Sequence, residues 1–222
     1  MRRIAALLAF CLALYGQAAK TANERYHTPS GREAVAKGLG AADRDARQKP
    51  RELVEAMQLR AGMTVADIGT GVGYMLPFLS QAVGPQGRVL AEDIFDDFLA
   101  QAKRRAADGG LTNVEFVKGN EHGPQLPEGS VDVALALDSY HHYDYPGDML
   151  AGIRAALKPR GRLLIVEYYK TKEAMPGGNA LEHIRLNKPE LIQEVEANRF
   201  KLISSHDHIP RSQYVAVFEK VQ

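Results

Sequence analysis

Cysteine is almost absent from this chain of 222 residues, since Cys11 is the single one and lies in the apolar stretch near the N-terminus. If that stretch is removed, the mature chain has no disulfide and no thiolate metal ligand. An excess of charge of one sign is missing too, because 28 Lys and Arg face 27 Asp and Glu, a net charge of +1. This balance gives no electrostatic basis for a nucleic-acid partner, and we expect none.

Long hydrophobic runs are also missing. The apolar run Ile4–Tyr15 has twelve residues, whereas a helix that spans a bilayer needs roughly 20, so we expect no stable membrane span. Arg2 and Arg3 precede the run and the small residues of Gly16–Ala18 follow it. This is the pattern of a secretory signal, and we predict a signal peptide over residues 1–18 with export to the periplasm or secretion. The alternative is an uncleaved N-terminus associated with the membrane.

The remaining chain divides into two parts. Residues 19–49 are polar and charged with little periodicity, which we interpret as a loose N-terminal lead-in containing one short helix at 32–38. Residues 50–222 are long enough to bury one sizeable core, so we predict a single domain there.

From residue 50 onward, segments with strand and helix patterns alternate. We predict strands at 63–68, 88–93, 114–119, 131–138, 162–169, 200–206 and 214–221. We predict helices at 50–59, 72–83, 95–107, 146–157 and 189–197. The alternation predicts an α/β fold, in which a mostly parallel sheet of seven strands has helices on both faces. The last two strands have no helix between them, so they should form an antiparallel hairpin.

The most informative stretch is VADIGTGVGY at 65–74, where Asp67 ends the first strand and Gly69, Gly71 and Gly73 follow at alternate positions. Glycines in this pattern allow positive φ and a close approach of the backbone to a ligand. The predicted helix near Val72 would point its N-terminus at that ligand.

A dinucleotide-binding turn is the first alternative. Its G-x-G-x-x-G pattern would need glycine where Tyr74 stands, and Asp67 would repel a pyrophosphate while suiting a cationic amine. An NAD-dependent oxidoreductase is therefore the weaker hypothesis. Asp93, at the end of the second strand, can accept hydrogen bonds from ribose hydroxyls in either class. Glu92 is the alternative for this contact, and we interpret it as pointing elsewhere.

The region from residue 50 to about 167 resembles class I S-adenosylmethionine-dependent methyltransferases. The likeness is strongest to those that act on small molecules at carbon, oxygen or nitrogen, similar to the quinone-biosynthesis enzymes. The matching segments are VADIGTGVGY, RVLAEDI, NVEFVKGN, LPEGSVDVALALDSYHH and LKPRGRLLIVE. One departure is Arg160, where the family usually has glycine. The resemblance implies a Rossmann-like fold, S-adenosyl-L-methionine as cofactor and methyl transfer to a small-molecule acceptor that the sequence does not identify. A non-catalytic protein that binds the same cofactor is the alternative.

The resemblance also implies roles for single residues. Asp67 and Gly69 would contact the methionine end of the cofactor, Gly71 and Gly73 would let it lie against the backbone, and Asp93 would hold the ribose. The adenine would meet Ile94 and Asn120, with Glu121 as the second choice for the latter. Thr70 and Asp138 complete the predicted cofactor site.

The loop 136–146 after the fourth strand supplies the predicted catalytic residues. In the family this loop lies beside the transferred methyl group, and a histidine there can remove a proton from an acceptor. We predict His141 as the base, with Tyr140 or His142 positioning the acceptor; the alternative is that the histidines only tie the loop to the next helix.

Two further groups of residues have an open interpretation. Asp138 and Glu167 are placed as in catechol-type O-methyltransferases, which use a metal, but Tyr168 stands where that family has an amide ligand, so we expect no metal. His183 and Arg185 either bind an acidic group of the substrate or lie on an exposed helix face.

Overall fold

A computed structural model describes residues 18–175 and 177–221. The predicted signal peptide lies outside the described residues except for Ala18. The strands are β1 (Thr64–Ile68), β2 (Arg88–Asp93), β3 (Val114–Lys118), β4 (Val131–Leu137), β5 (Leu157–Tyr168), β6 (Phe200–Ile209) and β7 (Gln213–Lys220). They form one sheet in the order β3-β2-β1-β4-β5-β7-β6. The first five strands are parallel and β6 and β7 form an antiparallel hairpin beside β5, so the predicted fold class is confirmed.

Helices cover both faces of this sheet. They are α1 (Lys20–Asn23), α2 (Pro29–Leu39), α3 (Arg44–Gln48), α4 (Pro50–Met57), α5 (Leu76–Val83), α6 (Asp96–Asp108), α7 (Pro146–Ala156), α8 (Ala180–His183) and α9 (Lys188–Ala197). One buried cluster packs α7 and α9 on the sheet, and a second packs α4, α5 and α6 on the opposite face. Among the described residues, no helix has both the length and the apolar character needed to cross a membrane.

The predicted helix 72–83 begins four residues later than its pattern indicated. Gly71 and Gly73 have φ values of +55° and +76°, which a right-handed helix does not contain. The chain therefore stays in a turn until Leu76, and proline at the second helical position follows. The predicted helix N-terminus at Val72 was wrong, and the backbone of the turn itself lies at the end of β1 where a ligand would bind.

Arg160, the departure from the glycine usual in the resembling family, lies in the part of β5 where the strand turns. Its φ is +62°, so it adopts the left-handed conformation that glycine would take there. Left-handed backbone disfavours residues with a Cβ, yet the strand pairing on either side is kept.

The lead-in is more ordered than predicted. The predicted helix at 32–38 is part of α2, whose N-terminus is capped by Thr28 through a 3.1 Å hydrogen bond from the Gly31 N–H to the Thr28 Oγ1. The guanidinium of Arg44 lies 4.0 Å from the centre of the Tyr74 ring. Arg32 pairs with Asp97 at 2.7 Å. These contacts hold the lead-in across the carboxyl ends of the strands, so the prediction of a loose segment was wrong.

The glycine turn generates a stability prediction. A Cβ at Gly73 would lie 2.7 Å from Leu76 Cδ1 and 3.1 Å from the Ala102 Cα. Gly62 has a similar φ of +84° but open space around it. We expect Gly62→Ala to cost about 1–2 kcal/mol of unfolding free energy from backbone strain alone. Gly73→Ala should cost about 1–3 kcal/mol more because of overpacking. Urea unfolding of both variants measures the difference, and equal losses would contradict the packing argument.

Candidate cofactor and acceptor site

A cavity of about 320 Å³ lies at the carboxyl ends of β1, β2 and β4, beneath the lead-in. Ligands of open parallel sheets bind at this edge. The strand ends and the turns after them contribute Asp67, Gly69, Thr70, Gly71, Glu92, Asp93, Ile94 and Asp138. The lead-in contributes Asn23, Tyr26, His27, Arg32, Leu39 and Arg44. The cavity therefore lies between the sheet edge and a segment that precedes the first strand.

Hydrogen bonds fix the floor of this cavity. The Asp93 carboxylate accepts from the N–H of Gly71 and from the N–H of Phe95, both at 2.9 Å. The hydroxyl of Thr70 donates to Asp67 Oδ2 at 2.7 Å. Both carboxylates are thus held in place by the protein before any ligand binds, and each keeps lone pairs that can accept from a ligand.

Glu92 takes part in the same floor, so the interpretation that it points elsewhere was wrong. Its Oε2 accepts from the N–H of Gly69 at 3.1 Å, and its side chain is buried. Burial and the neighbouring Asp93 charge raise the pKa of Glu92 well above its ordinary value. Its Oε1 has no hydrogen-bond partner among the described residues.

The cavity holds more negative than positive groups. Burial raises the pKa of Asp67 and of Asp93 to about 6. Burial and the charge of Glu167 raise the pKa of Asp138 to about 7. The Arg44 guanidinium opposes the shift at Asp67 and at Asp138. Asp67, Glu92 and Asp93 are buried and Asp138 is half-buried, and carboxyl groups with so few cations beside them fit a ligand that carries positive charge, such as an ammonium or a sulfonium.

Most of the predicted cofactor residues meet in this cavity. Its lining includes Asp67, Gly69, Thr70, Gly71, Asp93, Ile94, Glu121 and Asp138. Gly73 is not part of the lining, because it packs against α6. Asn120 is not part of it either, and its Oδ1 accepts from the N–H of His122 at 2.9 Å. Glu121, the second choice for the adenine contact, is therefore the better placed of the two.

The three predicted catalytic residues have different surroundings. Tyr140 is buried in the core and its hydroxyl donates to Glu194 Oε1 at 2.6 Å, away from the cavity. The imidazole of His141 is buried beside Glu167, with Nδ1 2.8 Å from Oε2. His142 lines the cavity. Of the three predicted residues, His142 is the one placed to touch an acceptor.

The residues after β5 are also brought close to this loop. The ring centre of His183 lies 4.8 Å from that of His141 and 5.3 Å from that of His142. Arg185 is instead engaged by Glu194, with Nη1 2.8 Å from Oε2. Burial lowers the pKa of His183 to about 4 and that of His142 well below its ordinary value, so both rings are neutral at neutral pH.

Sequence reasoning missed the lead-in as part of the site. Asn23, Tyr26 and Arg44 belong to no motif, and their polar surroundings hide the few apolar contacts that hold them. The available signal was Thr28 followed by Pro29, since a capping hydroxyl before proline is typical of a helix start. That signal indicates a helix but not where the helix packs.

Comparison with known proteins agrees with this geometry. Residues 65–161 match the family described as methyltransferase domain. The ubiquinone/menaquinone biosynthesis C-methyltransferase of Pseudomonas fluorescens is 32% identical over 126 residues, which cover 56% of this chain and 49% of that protein. An S-adenosylmethionine-dependent methyltransferase structure from Aquifex aeolicus is 26% identical with a TM-score of 0.79, covering 85% of this chain and 98% of that chain. The structure of the [4+2]-cyclase SpnF, 18% identical with a TM-score of 0.69, shares the fold, covering 82% and 85%.

The fold, the site and these likenesses together define the class of the protein. The chain has a Rossmann-like fold in which residues 65–161 match a methyltransferase domain, and it shares this fold with an S-adenosylmethionine-dependent methyltransferase. The observed residues fit S-adenosylmethionine, which carries a sulfonium and an ammonium group, since the buried carboxyl groups of Asp67, Glu92 and Asp93 line the cavity. The chain spans about half the length of the Pseudomonas relative it matches.

The buried carboxyl groups generate a second prediction. We expect Asp67→Asn to raise the melting temperature of the ligand-free protein at pH 8 by about 2–8 °C, because it removes a buried charge costing up to about 3 kcal/mol. The pKa of Asp67 is raised in the folded state to about 6, so the stability it contributes at low pH is lost between about pH 4 and pH 6. The difference between variant and wild type should therefore vanish near pH 4.

The same variant should bind S-adenosylmethionine about 10- to 100-fold more weakly, because a charge-assisted hydrogen bond is lost. Calorimetry measures the affinity, and thermal unfolding between pH 4 and pH 8 measures the stability. Asp96→Asn is the matched control, because Asp96 is exposed and its replacement should change neither quantity much. A variant that is less stable than wild type at pH 8 would contradict the charge argument.

Proposed function

We propose that this protein transfers a methyl group from S-adenosylmethionine to a small-molecule acceptor. The observation that carries the proposal is one cavity whose lining comes both from the strand ends and from the lead-in with the turn after β4. Asp67, Gly71 and Asp93 line its cofactor part. The other part is lined by Tyr26, which belongs to the lead-in, and by His142. An acceptor held in the second part would lie next to a methyl group held in the first.

The reaction is a direct displacement, in which an acceptor nucleophile attacks the methyl carbon in line with the sulfonium sulfur. The S–CH₃ bond breaks as the new bond to the acceptor forms, and S-adenosylhomocysteine leaves with the electron pair on sulfur. Holding the two reactants close and aligned supplies much of the rate enhancement. In this chain the fixed carboxylates of Asp67 and Asp93 orient one reactant, and the lead-in closes over the other.

The proposed catalytic part of the site is the turn Tyr140–His142. His142 faces the cavity, and its Nδ1 lies 2.8 Å from Asn23 Oδ1. His141 lies behind it and Tyr140 is bonded to Glu194. We therefore assign the contact with the acceptor to His142 and a supporting role to the other two.

The function is tested by ligand binding followed by turnover. S-adenosylhomocysteine at 100 times its Kd should stabilise the folded protein by about 2.7 kcal/mol, because it binds only the folded state. NAD should leave the melting temperature unchanged. Gly71→Val should remove the effect, since a side chain there blocks the backbone approach.

Turnover is then measured with methyl-labelled cofactor and a panel of phenols, amines and quinones. We expect the label to be transferred to an acceptor, and we expect this transfer to require an intact cavity. Stabilisation by NAD and not by S-adenosylhomocysteine would overturn the proposal. Binding of S-adenosylhomocysteine without transfer to any acceptor in the panel or in a cell extract would favour the non-catalytic alternative.

We further propose that the protein is exported and processed after Ala18. The N–H of Ala19 donates to Asp144 Oδ1 at 3.1 Å, and Ala19 is 2% exposed. Processing at this point would make Ala19 the N-terminus and place its α-ammonium group against that carboxylate. A hydrogen bond between charged groups is stronger than the amide bond it replaces.

Mass spectrometry of the periplasmic fraction should therefore give a chain that begins at Ala19. Asp144→Asn should lower the stability of the processed chain by about 1 kcal/mol more than that of a chain retaining Met1, since the ion pair exists in the processed chain alone. Recovery of the protein with Met1 intact would contradict the export proposal.

A further inference from the structure

Three imidazoles from two separate segments meet beside the cavity. His141 and His142 come from the turn after β4, and their ring centres are 4.1 Å apart. His183 comes from α8, and one ring nitrogen from each of the three lies within 4.8 Å of the other two. Within residues 18–175 and 177–221, no other group of three or more His, Cys, Asp or Glu side chains has this convergence.

The hydrogen bonds of Asn23 determine which nitrogen of His142 carries its hydrogen. The Asn23 amide nitrogen donates to the carbonyl oxygen of His142 at 3.0 Å and to Asp144 Oδ2 at 3.1 Å. These two acceptors fix the amide orientation, so Asn23 Oδ1 faces His142 Nδ1 at 2.8 Å. An oxygen acceptor requires a hydrogen on Nδ1. The lone pair of His142 is therefore on Nε2, which now accepts from the Tyr26 hydroxyl at 3.3 Å.

His141 has the same arrangement with a stronger acceptor. Glu167 Oε2 accepts from Nδ1 of His141 at 2.8 Å and from its backbone N–H at 3.1 Å. Both side chains are buried, with 4% and 1% of their surfaces exposed. Nε2 of His141 has no hydrogen-bond partner among the described residues. A carboxylate behind a histidine in this way is the usual device that orients a metal-binding imidazole.

His183 is the ring that can adjust. Neither of its ring nitrogens has a hydrogen-bond partner in the described part of the chain. It ends the four-residue helix α8, which is held by the buried side chains of Ala180 and Ile184. Zinc–nitrogen bonds of about 2.0–2.1 Å in a tetrahedron place the nitrogens roughly 3.4 Å apart. Because the three nitrogens lie within 4.8 Å of one another, binding requires them to approach by up to about 1.4 Å.

We propose that His141, His142 and His183 bind a divalent first-row transition ion, for which zinc is the best fit. Imidazole nitrogens suit zinc and its neighbours in the row, whereas magnesium and calcium prefer oxygen ligands. Three protein ligands leave the fourth position of a tetrahedral ion open. Since His142 lines the cavity, the open position faces the part of it that we assign to the acceptor.

The metal site shares His142 with the proposed acceptor contact and so rests in part on the proposed function, but it contains none of the cofactor residues. The nearby buried carboxylate of Glu167 supplies negative charge that offsets the charge of the ion. The competing interpretation is a stack of three rings that binds nothing, and metal titration separates the two.

The experiment titrates zinc chloride into the full chain, produced without a histidine tag, and follows binding by calorimetry and elemental analysis. We expect one ion per chain, and cobalt(II) should give the visible absorption of a tetrahedral nitrogen site. His183→Ala removes a ligand from an element at the surface and should weaken zinc binding at least 100-fold. Asn23→Ala removes the orienting acceptor of His142 and should weaken it about 10- to 100-fold.

His206→Ala is the matched control, because His206 is an exposed histidine on β6, and its replacement should leave zinc binding unchanged. Stabilisation by S-adenosylhomocysteine is measured on every variant to show that the fold and cofactor site are retained. Absence of zinc binding by a wild-type chain that still binds S-adenosylhomocysteine would overturn the metal site and leave the proposed function standing. Equal affinity of wild type and His183→Ala would overturn it as well.

Discussion

The hydrogen bond from the Gly71 N–H to the Asp93 carboxylate is the interaction on which the site depends. It joins the turn after β1 to the last residue of β2, just beyond the point where the parallel pairing of these strands ends at Ile68 and Glu92. The turn can make this bond because Gly71 has a positive φ, which leaves its N–H pointing across the sheet edge and not into a helix. The lead-in rests on the same residue, since a Cβ at Gly71 would lie 2.9 Å from Leu39 Cδ1. The backbone of Gly71 is therefore the point where the turn after β1, which forms the floor of the cavity, comes into contact with the lead-in that covers it.

Charge sets the second constraint on the site. Burial is the main cause that raises the pKa of Asp67, of Asp93 and of Asp138, which means that the folded state resists their ionisation. A cationic ligand relieves that cost, and so binding and folding are coupled through the same carboxyl groups. The same carboxyl groups therefore lower the stability of the ligand-free protein and raise its affinity for a positively charged cofactor.

Much of the fold could be predicted because parallel strands buried on both faces are continuous apolar runs, as in VDVALAL of β4. The cofactor part of the site followed from residues that lie within a few positions of one strand end, such as Asp67 and Gly69. The start of α5 was missed because the apolar pattern ran back into the glycines, whose backbone decides the boundary. The lead-in was missed for a different reason. Tyr26 is held by Phe95 at a ring distance of 5.8 Å, a contact between distant segments that periodicity does not reveal.

This division between local and distant contacts explains why the cofactor is easier to infer than the acceptor. The matched methyltransferase segment, residues 65–161, supplies the floor of the cavity and the two histidines after β4. The rest of the acceptor end comes from outside that segment: Asn23 and Tyr26 from the lead-in and His183 from α8. Helix α1 lies against both α8 and the histidine turn, so these pieces form one wall. The residues that would select an acceptor therefore lie mostly outside the matched segment, whereas those that would hold the cofactor lie mostly within it.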